Sequence, residues 1–257
     1  MPRSLSSVEK ALKILQTFTA QTPELGLTEI AQRLQSHKSS VFRILSTLLS
    51  EGFVEKNPQT HKYRIGLKLI EVAQRSLDGF DWLAEASPLI DKLSREINEI
   101  VHLSILDKGE VVYLDKKGEG QGQGLTVSTR KGGRDPAHSC AMGKVLLAGL
   151  PLEELRRVLS TMTLVRRTPN TITEMWALER ELERVRRRGY GIDNEESFPG
   201  IKCVAAPIQN HQGKVIAAIS ATVPTPRMTK ERMREITKLV IETARSISER
   251  IGMRSAP

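Results

Sequence analysis

The chain has 257 residues, with 39 Lys and Arg against 30 Asp and Glu, a formal net charge of +9. That length holds one large domain or two ordinary ones, and 39% hydrophobic with 27% charged residues excludes wholesale disorder. No apolar run approaches the roughly 18 residues of a membrane span. The opening MPRSLSSVEK lacks the apolar stretch of a secretory signal, and two cysteines, Cys140 and Cys203, cannot build a disulfide framework or a four-cysteine zinc site. The expectation is a cytoplasmic protein with no metal and no cofactor.

The positive charge is uneven. Residues 1–66 carry nine Lys and Arg against five Asp and Glu, while the remaining 191 carry 30 against 25. The first quarter is therefore more than twice as basic per residue, which favours a nucleic-acid surface at that end. The densest basic run, Arg184 to Arg188, closes a helical pattern before Gly189 and reads as a solvated face near a helix C-terminus.

In chain order, Ser6 and Ser7 are candidate caps of a first helix with Val8, Ala11, Leu12, Leu15 and Phe18 on its apolar face. Thr28 is the expected cap of a short second helix, with Glu29 in its first turn and Ile30, Ala31 and Leu34 apolar. A third helix runs through Val41, Ile44, Leu45 and Leu48 to Gly52, a natural residue just beyond a helix end. Phe53–Lys56 and Lys62–Ile65, joined by Asn57-Pro58-Gln59-Thr60, read as a β-hairpin. Two short helices, a longer third one and a hairpin predict a winged helix-turn-helix over residues 1–66.

The outward residues of the third helix carry the chemistry. A helix enters the major groove and reads bases from its N-terminal turns. Lys38, Ser39, Ser40, Arg43 and Thr47 are the expected outward set: the serines suit a phosphate or base edge, and Arg43 suits a guanine. Lys56, His61, Lys62 and Arg64 on the hairpin are expected to lie along backbone phosphates. A winged helix used as a protein-docking surface is the alternative.

Residues 67–80 predict a linker helix whose Leu69, Ile70, Val72, Ala73 and Leu77 should be packed rather than solvated. Residues 81–257 then alternate elements: a helix to Asn98, strands at 101–106, 111–114 and 125–128, helices at 141–150, 151–160 and 173–188, strands at 203–209 and 214–223, and a last helix from Thr229 to Ile251. Strands joined by short turns with helices between them predict an α+β fold: a GAF- or PAS-like α/β effector-binding domain with an antiparallel sheet.

These features come together in one resemblance. SVEKALKIL, LTEIAQRL, KSSVFRIL and LLSEGFVEK in the first part are similar to the winged helix of the IclR family of bacterial transcriptional regulators. The second part resembles the same family through His138-Ser-Cys-Ala-Met-Gly-Lys144-Val-Leu-Leu-Ala148, Gly189-Tyr-Gly-Ile-Asp193-Asn-Glu-Glu196 and Pro199-Gly-Ile-Lys-Cys203-Val-Ala-Ala-Pro207-Ile208. Gln209 and Thr222 depart from the family's pattern, and Thr222 bears on the choice of ligand. The resemblance implies a repressor or activator acting as a homodimer or dimer of dimers on a pseudopalindromic double-stranded operator. Its affinity would be set by an organic acid, a sugar acid or an aromatic catabolite. It also implies effector contacts from the amides of Ala141 and Met142 at a helix start, with Asp193, Cys203, Ser220 and Thr222 adding side chains. From the residues alone, Asp193 as a loop cap and Cys203 as core packing stay open.

Enzyme readings fall short on spacing. His138, Ser139 and Cys140 suggest nucleophilic chemistry, but no H-E-x-x-H, G-x-S-x-G or C-x-x-C occurs. GEGQGQG at 118–124 is not followed by the helix of a dinucleotide site and reads as a hairpin tip, and Gly143-Lys144 lacks the earlier glycine of a phosphate loop.

Overall fold

The computed structural model describes residues 6–78, 81–118 and 129–254. The chain divides into two compact units, with the boundary between Asp81 and Trp82.

The first unit contains helices α1 (Ser6–Gln16), α2 (Leu27–Arg33) and α3 (Lys38–Ser50), hairpin strands β1 (Val54–Lys56) and β2 (Tyr63–Ile65), and helix α4 (Lys68–Asp78). Its core joins Ile14, Leu25, Ile30, Ala31, Val41, Leu45, Val54 and Tyr63. Two details of the helices differ from the sequence expectation. On α1 the buried residue is Ile14, while Val8 and Leu12 are 51% and 55% exposed. The helix packs its C-terminal half on α3, so the contact stripe runs through Ala11, Ile14, Leu15 and Phe18, one position round from the expected face. On α2 the cap is Gly26 rather than Thr28, and the Glu29 carboxylate accepts the Gly26 N–H at 2.6 Å.

Helix α3 ends as expected. Gly52 adopts φ +74°, and the N–H groups of Phe53 and Gly52 return to the carbonyls of Leu48 and Leu49 at 2.9 and 3.1 Å. This pattern closes a helix and favours glycine at that position. The hairpin turn is held by Asn57, whose Oδ1 accepts from the amides of Gln59 and Thr60. On helix α4, Ile70 is 63% and Val72 45% exposed, Ala73 is exposed, and Leu69 is only partly covered, so the packing expected of this helix is not made among the described residues of one chain. The side chain of Leu77 lies outside the described residues.

The second unit is a six-stranded antiparallel sheet in the order β5-β4-β3-β8-β7-β6. Its strands are β3 (Ile100–Asp107), β4 (Glu110–Lys117), β5 (Arg134–Pro136), β6 (Gly191–Asn194), β7 (Ile201–Gln209) and β8 (Val215–Pro224). Helices α5 (Asp81–Ile97) and α9 (Lys230–Arg254) cover one face, and α6 (Ala141–Ala148), α7 (Leu152–Thr161) and α8 (Met175–Arg188) the other. The strand period of two then sorts the central strands. Val101, Leu103, Ala217, Ile219 and Val223 join the α5/α9 core. His102, Ser104, Ser220 and Thr222, each the neighbour of one of these, point to the α6 side and are buried there. A buried polar row beneath α6 is thus written in the alternation.

The edge strands β5 and β6 were not foreseen, because Arg-Asp-Pro and Gly-Ile-Asp-Asn carry little strand signal and proline is tolerated only at an edge. The strand expected at 125–128 and all but Gly118 of the tip expected over 118–124 lie outside the described residues. The Arg184–Arg188 run ends α8 but is not wholly solvated: Arg184 and Arg188 pair with Glu181, and Arg186 donates to the Ala148 carbonyl.

Candidate nucleic-acid interface and ligand pocket

On α3, Val41 and Leu45 face the core, which turns Lys38, Ser39, Arg43 and Thr47 outward, all exposed. Ser40 differs from expectation: it sits half-buried on the flank of the helix. Thr47 turns its hydroxyl back to the Arg43 carbonyl at 3.3 Å. Lys38 and Arg43 make no ion pair among the described residues, so their charges are available to an external anion.

The hairpin cations are less free. Lys62 Nζ lies 3.6 Å from the Glu29 carboxylate, and Arg64 reaches Glu55 across the strands at 2.9 Å. Lys56 Nζ sits 5.7 Å from the centre of the Tyr63 ring. His61 is exposed and holds the left-handed residue of the turn, φ +57°. A phosphate laid on the hairpin would share Lys62 and Arg64 with carboxylates already in place.

In the second unit, the six sequence-derived ligand residues converge. Ala141, Met142, Asp193, Cys203, Ser220 and Thr222 all line one cavity of about 30 Å3, together with His102, Tyr113, Thr129, Asp135, Cys140, Ser197, Phe198 and Ile201. A space of that size holds only a water or two, so a ligand is either very compact or displaces wall side chains. Among the described residues, no Lys or Arg lines it. The first turn of α6 offers amide N–H groups that have no acceptor within the helix. Cys140 caps that turn, its sulfur accepting the Gly143 N–H at 3.4 Å. Strand β6 passes directly over it: a Cβ on Gly191 would stand 2.5 Å from the Ala141 carbonyl oxygen. Only glycine permits that approach, which brings Asp193 beside the helix start.

Asp193 is 1% exposed and pairs in register with Cys203. Its Oδ1 accepts the amides of Glu196 at 2.6 Å and Ser197 at 3.4 Å, so it caps the following loop and lines the cavity at once. Burial pushes its carboxyl up to about 6, against the opposing pull of the Lys144 charge. Lys144 is itself fully buried and bonds Glu196 Oε1 at 2.6 Å. The other oxygen of Glu196 is buried without a partner among the described residues.

The cavity also takes in residues that sequence reasoning missed. His102 is held between the hydroxyls of Thr129 (Nε2, 2.7 Å) and Thr222 (Nδ1, 3.2 Å), and burial pushes it down to about 3, so the ring is neutral. Tyr113 donates to Asp135 at 2.7 Å, and Asp135 pairs with Arg167, whose guanidinium stacks 4.7 Å from the centre of the Phe198 ring. Cys203 and Thr222 are 3.5 Å apart (Sγ to Oγ1), and burial raises both thiols, Cys140 to about 12, so neither is an activated nucleophile. The arrangement offers amides, hydroxyls, a neutral imidazole and two carboxyls, Asp193 and the Asp135 already paired with Arg167, which is a binding set. Among the described residues no group of His, Cys, Asp and Glu could hold a metal, and no helix is long and apolar enough to cross a membrane.

Residues 7–58 match the IclR helix-turn-helix domain, and residues 74–249 match the C-terminal domain of the bacterial transcriptional regulator IclR. The HTH-type transcriptional regulator KdgR of Escherichia coli (strain K12) is 38% identical over 256 residues, covering 100% of this chain and 96% of that one. Among solved structures, the Thermotoga maritima IclR aligns with a TM-score of 0.80 at 34% identity, over 97% of this chain and 100% of that chain. An IclR homolog from Microbacterium hydrocarbonoxydans, complexed with 4-hydroxybenzoate, aligns with a TM-score of 0.85 at 26% identity, again over 97% and 100%. The curated relatives are named transcriptional regulators or repressors, not enzymes. On its helix-turn-helix, its ligand-binding type of second domain and these matches, the chain belongs to the IclR family of bacterial transcriptional regulators.

Proposed function

We propose that this regulator holds a pseudopalindromic operator as a homodimer or dimer of dimers, and that a compact organic acid bound in the second domain sets that affinity. Residues 1–66 form the DNA-binding domain in this reading, 67–80 the linker and 81–257 the effector domain. Lys38, Ser39, Arg43 and Thr47, with Ser40 at the flank, face the groove, and Lys56, His61, Lys62 and Arg64 face phosphates. One winged helix covers one half-site, so specific binding calls for two. The exposed Val8 and Leu12 of α1 and Ile70 and Val72 of α4 supply apolar surface for the second copy.

The observation that carries the effector reading is the convergence of α6's first turn, Asp193, Ser220 and Thr222 on one cavity. Helix-start amides suit a carboxylate, while hydroxyls and His102 suit a hydroxyl or carbonyl beside it. A relative of the same fold is known in complex with 4-hydroxybenzoate, which pairs a carboxylate with a hydroxyl. The test is a thermal-shift screen of the full chain with two- to six-carbon hydroxy- and oxo-acids, sugar acids and 4-hydroxybenzoate. A ligand at a hundredfold excess over Kd should add about 2.7 kcal/mol of stability. Ser220→Ala should abolish the shift for the responding acid. A shift unchanged by both Ser220→Ala and Asp193→Asn would place the site elsewhere.

A further inference from the structure

The outward face of α3 carries one group that polar readout does not use. Phe42 is 51% exposed and does not join the hydrophobic cluster that takes in Val41, Ile44, Leu45 and Leu48 around it. It lies on the first half of the helix, between Lys38 one turn before and Arg43 directly after, and neither cation has an ion-pair partner among the described residues. The neighbouring hydroxyls are spent on the helix itself: Ser46 bonds the Phe42 carbonyl at 2.9 Å and Thr47 the Arg43 carbonyl. Lys38, Ser39, Phe42 and Arg43 are therefore side chains of this face that project freely.

An aromatic ring flanked by unpaired cations suits an anionic partner that also presents an apolar spot. The major groove of DNA is such a partner, and the C5-methyl of thymine is the apolar group on its floor. We propose that Phe42 is a specificity-determining residue that packs on the methyl of a thymine in each operator half-site. Consecutive helix residues are about 1.5 Å apart along the axis, so this thymine falls within a base pair or two of the base read by Arg43. The inference rests on the DNA-binding reading of the first unit and is independent of the effector reading.

The test uses the full chain without effector. Wild-type protein first selects a preferred duplex from a pool of random-sequence duplexes, and each thymine in it is then replaced singly by deoxyuridine, which removes only the methyl. The expected result is one thymine per half-site whose replacement weakens binding about fourfold, the worth of one buried methyl-sized group. In Phe42→Ala that same replacement should have no effect. In Phe42→Leu, which keeps an apolar side chain at an exposed position and should fold normally, part of the methyl effect should persist. Equal binding of all deoxyuridine duplexes by the wild type overturns the proposal. So does a methyl effect that survives unchanged in Phe42→Ala. Failure of the pool to yield any preferred sequence would overturn sequence-specific DNA reading as a whole, and the Phe42 assignment with it.

Discussion

Asp193 and His102 are buried titratable groups that line one cavity, and burial moves them in opposite senses. Asp193, raised to about 6, keeps its proton in the folded chain while the unfolded chain has released it; its share of stability is full below about pH 4 and is lost as pH rises through 6. His102, lowered to about 3, is neutral when folded; its share is full above about pH 6.5 and is lost as pH falls toward 3. Asp193→Asn keeps an oxygen for the Glu196 and Ser197 amides and removes the first dependence. It is expected to stabilise the protein at pH 7 by roughly 1–3 kcal/mol, and to flatten the melting temperature between pH 4 and 6. The same group should govern an anionic effector. Ionised Asp193 repels a carboxylate, so calorimetric affinity should rise as pH falls from 7.5 to 5.5, by at most about tenfold per pH unit. In Asp193→Asn that slope should vanish.

Among the elements, α1 and α3 make the distinction between a core face and a working face measurable. Ile14 is completely buried and Leu12 is not, so Ile14→Ala should cost about 2–4 kcal/mol in urea unfolding. Leu12→Ala should leave monomer stability within about 0.5 kcal/mol. If Leu12 lies against a second copy, its loss should instead appear in the concentration dependence of sedimentation. On α3, Arg43→Ala should relax preference at one base pair by about 1–3 kcal/mol while leaving binding to random DNA nearly unchanged. Lys62→Ala should weaken both duplexes alike and lower the salt slope by about one ion. Because Lys62 already shares the Glu29 carboxylate at 3.6 Å, its effect should be the smaller of the two on the preferred duplex.

At the scale of the whole molecule, an effector changes DNA affinity only if it binds one arrangement of the assembly better than another, a coupling of typically about 1–3 kcal/mol. Helix α4 closes the first unit, just before the boundary with the second, and it exposes Ile70 and Val72. Apolar residues left uncovered in a single chain are natural contacts in an assembly. Ile70→Ser with Val72→Ser should therefore leave effector affinity within about twofold and each unit folded. The effector-dependent change in operator affinity should fall from about 5–150-fold toward unity. Mobility shift with and without the responding acid, paired with calorimetry, reads both; full retention of the response would place the coupling elsewhere.

Much of this was legible in the amino-acid order, because local signals are local physics. The α3 period, Gly52 after its end, Asn57 in the turn and the alternation around Val101–Ser104 each follow from a few neighbouring residues, and with them the winged helix and the antiparallel sheet. The six expected effector contacts were reached through the family resemblance, and all six line one cavity in the structure. Other facts belong only to the tertiary structure. Which stripe of α1 is buried depends on its packing against α3, so Ile14 rather than Val8 and Leu12 is covered. The wall of His102, Tyr113 and Asp135 is assembled by pairing β3 with β4 and β4 with β5, across spacings that no short window can join. The dual role of Asp193 arises because Gly191 lets β6 lie against the start of α6, which buries a carboxyl beside Lys144 and Glu196. Burial and long-range pairing shift a titration or free a cation, and neither is a property of the residue that carries it.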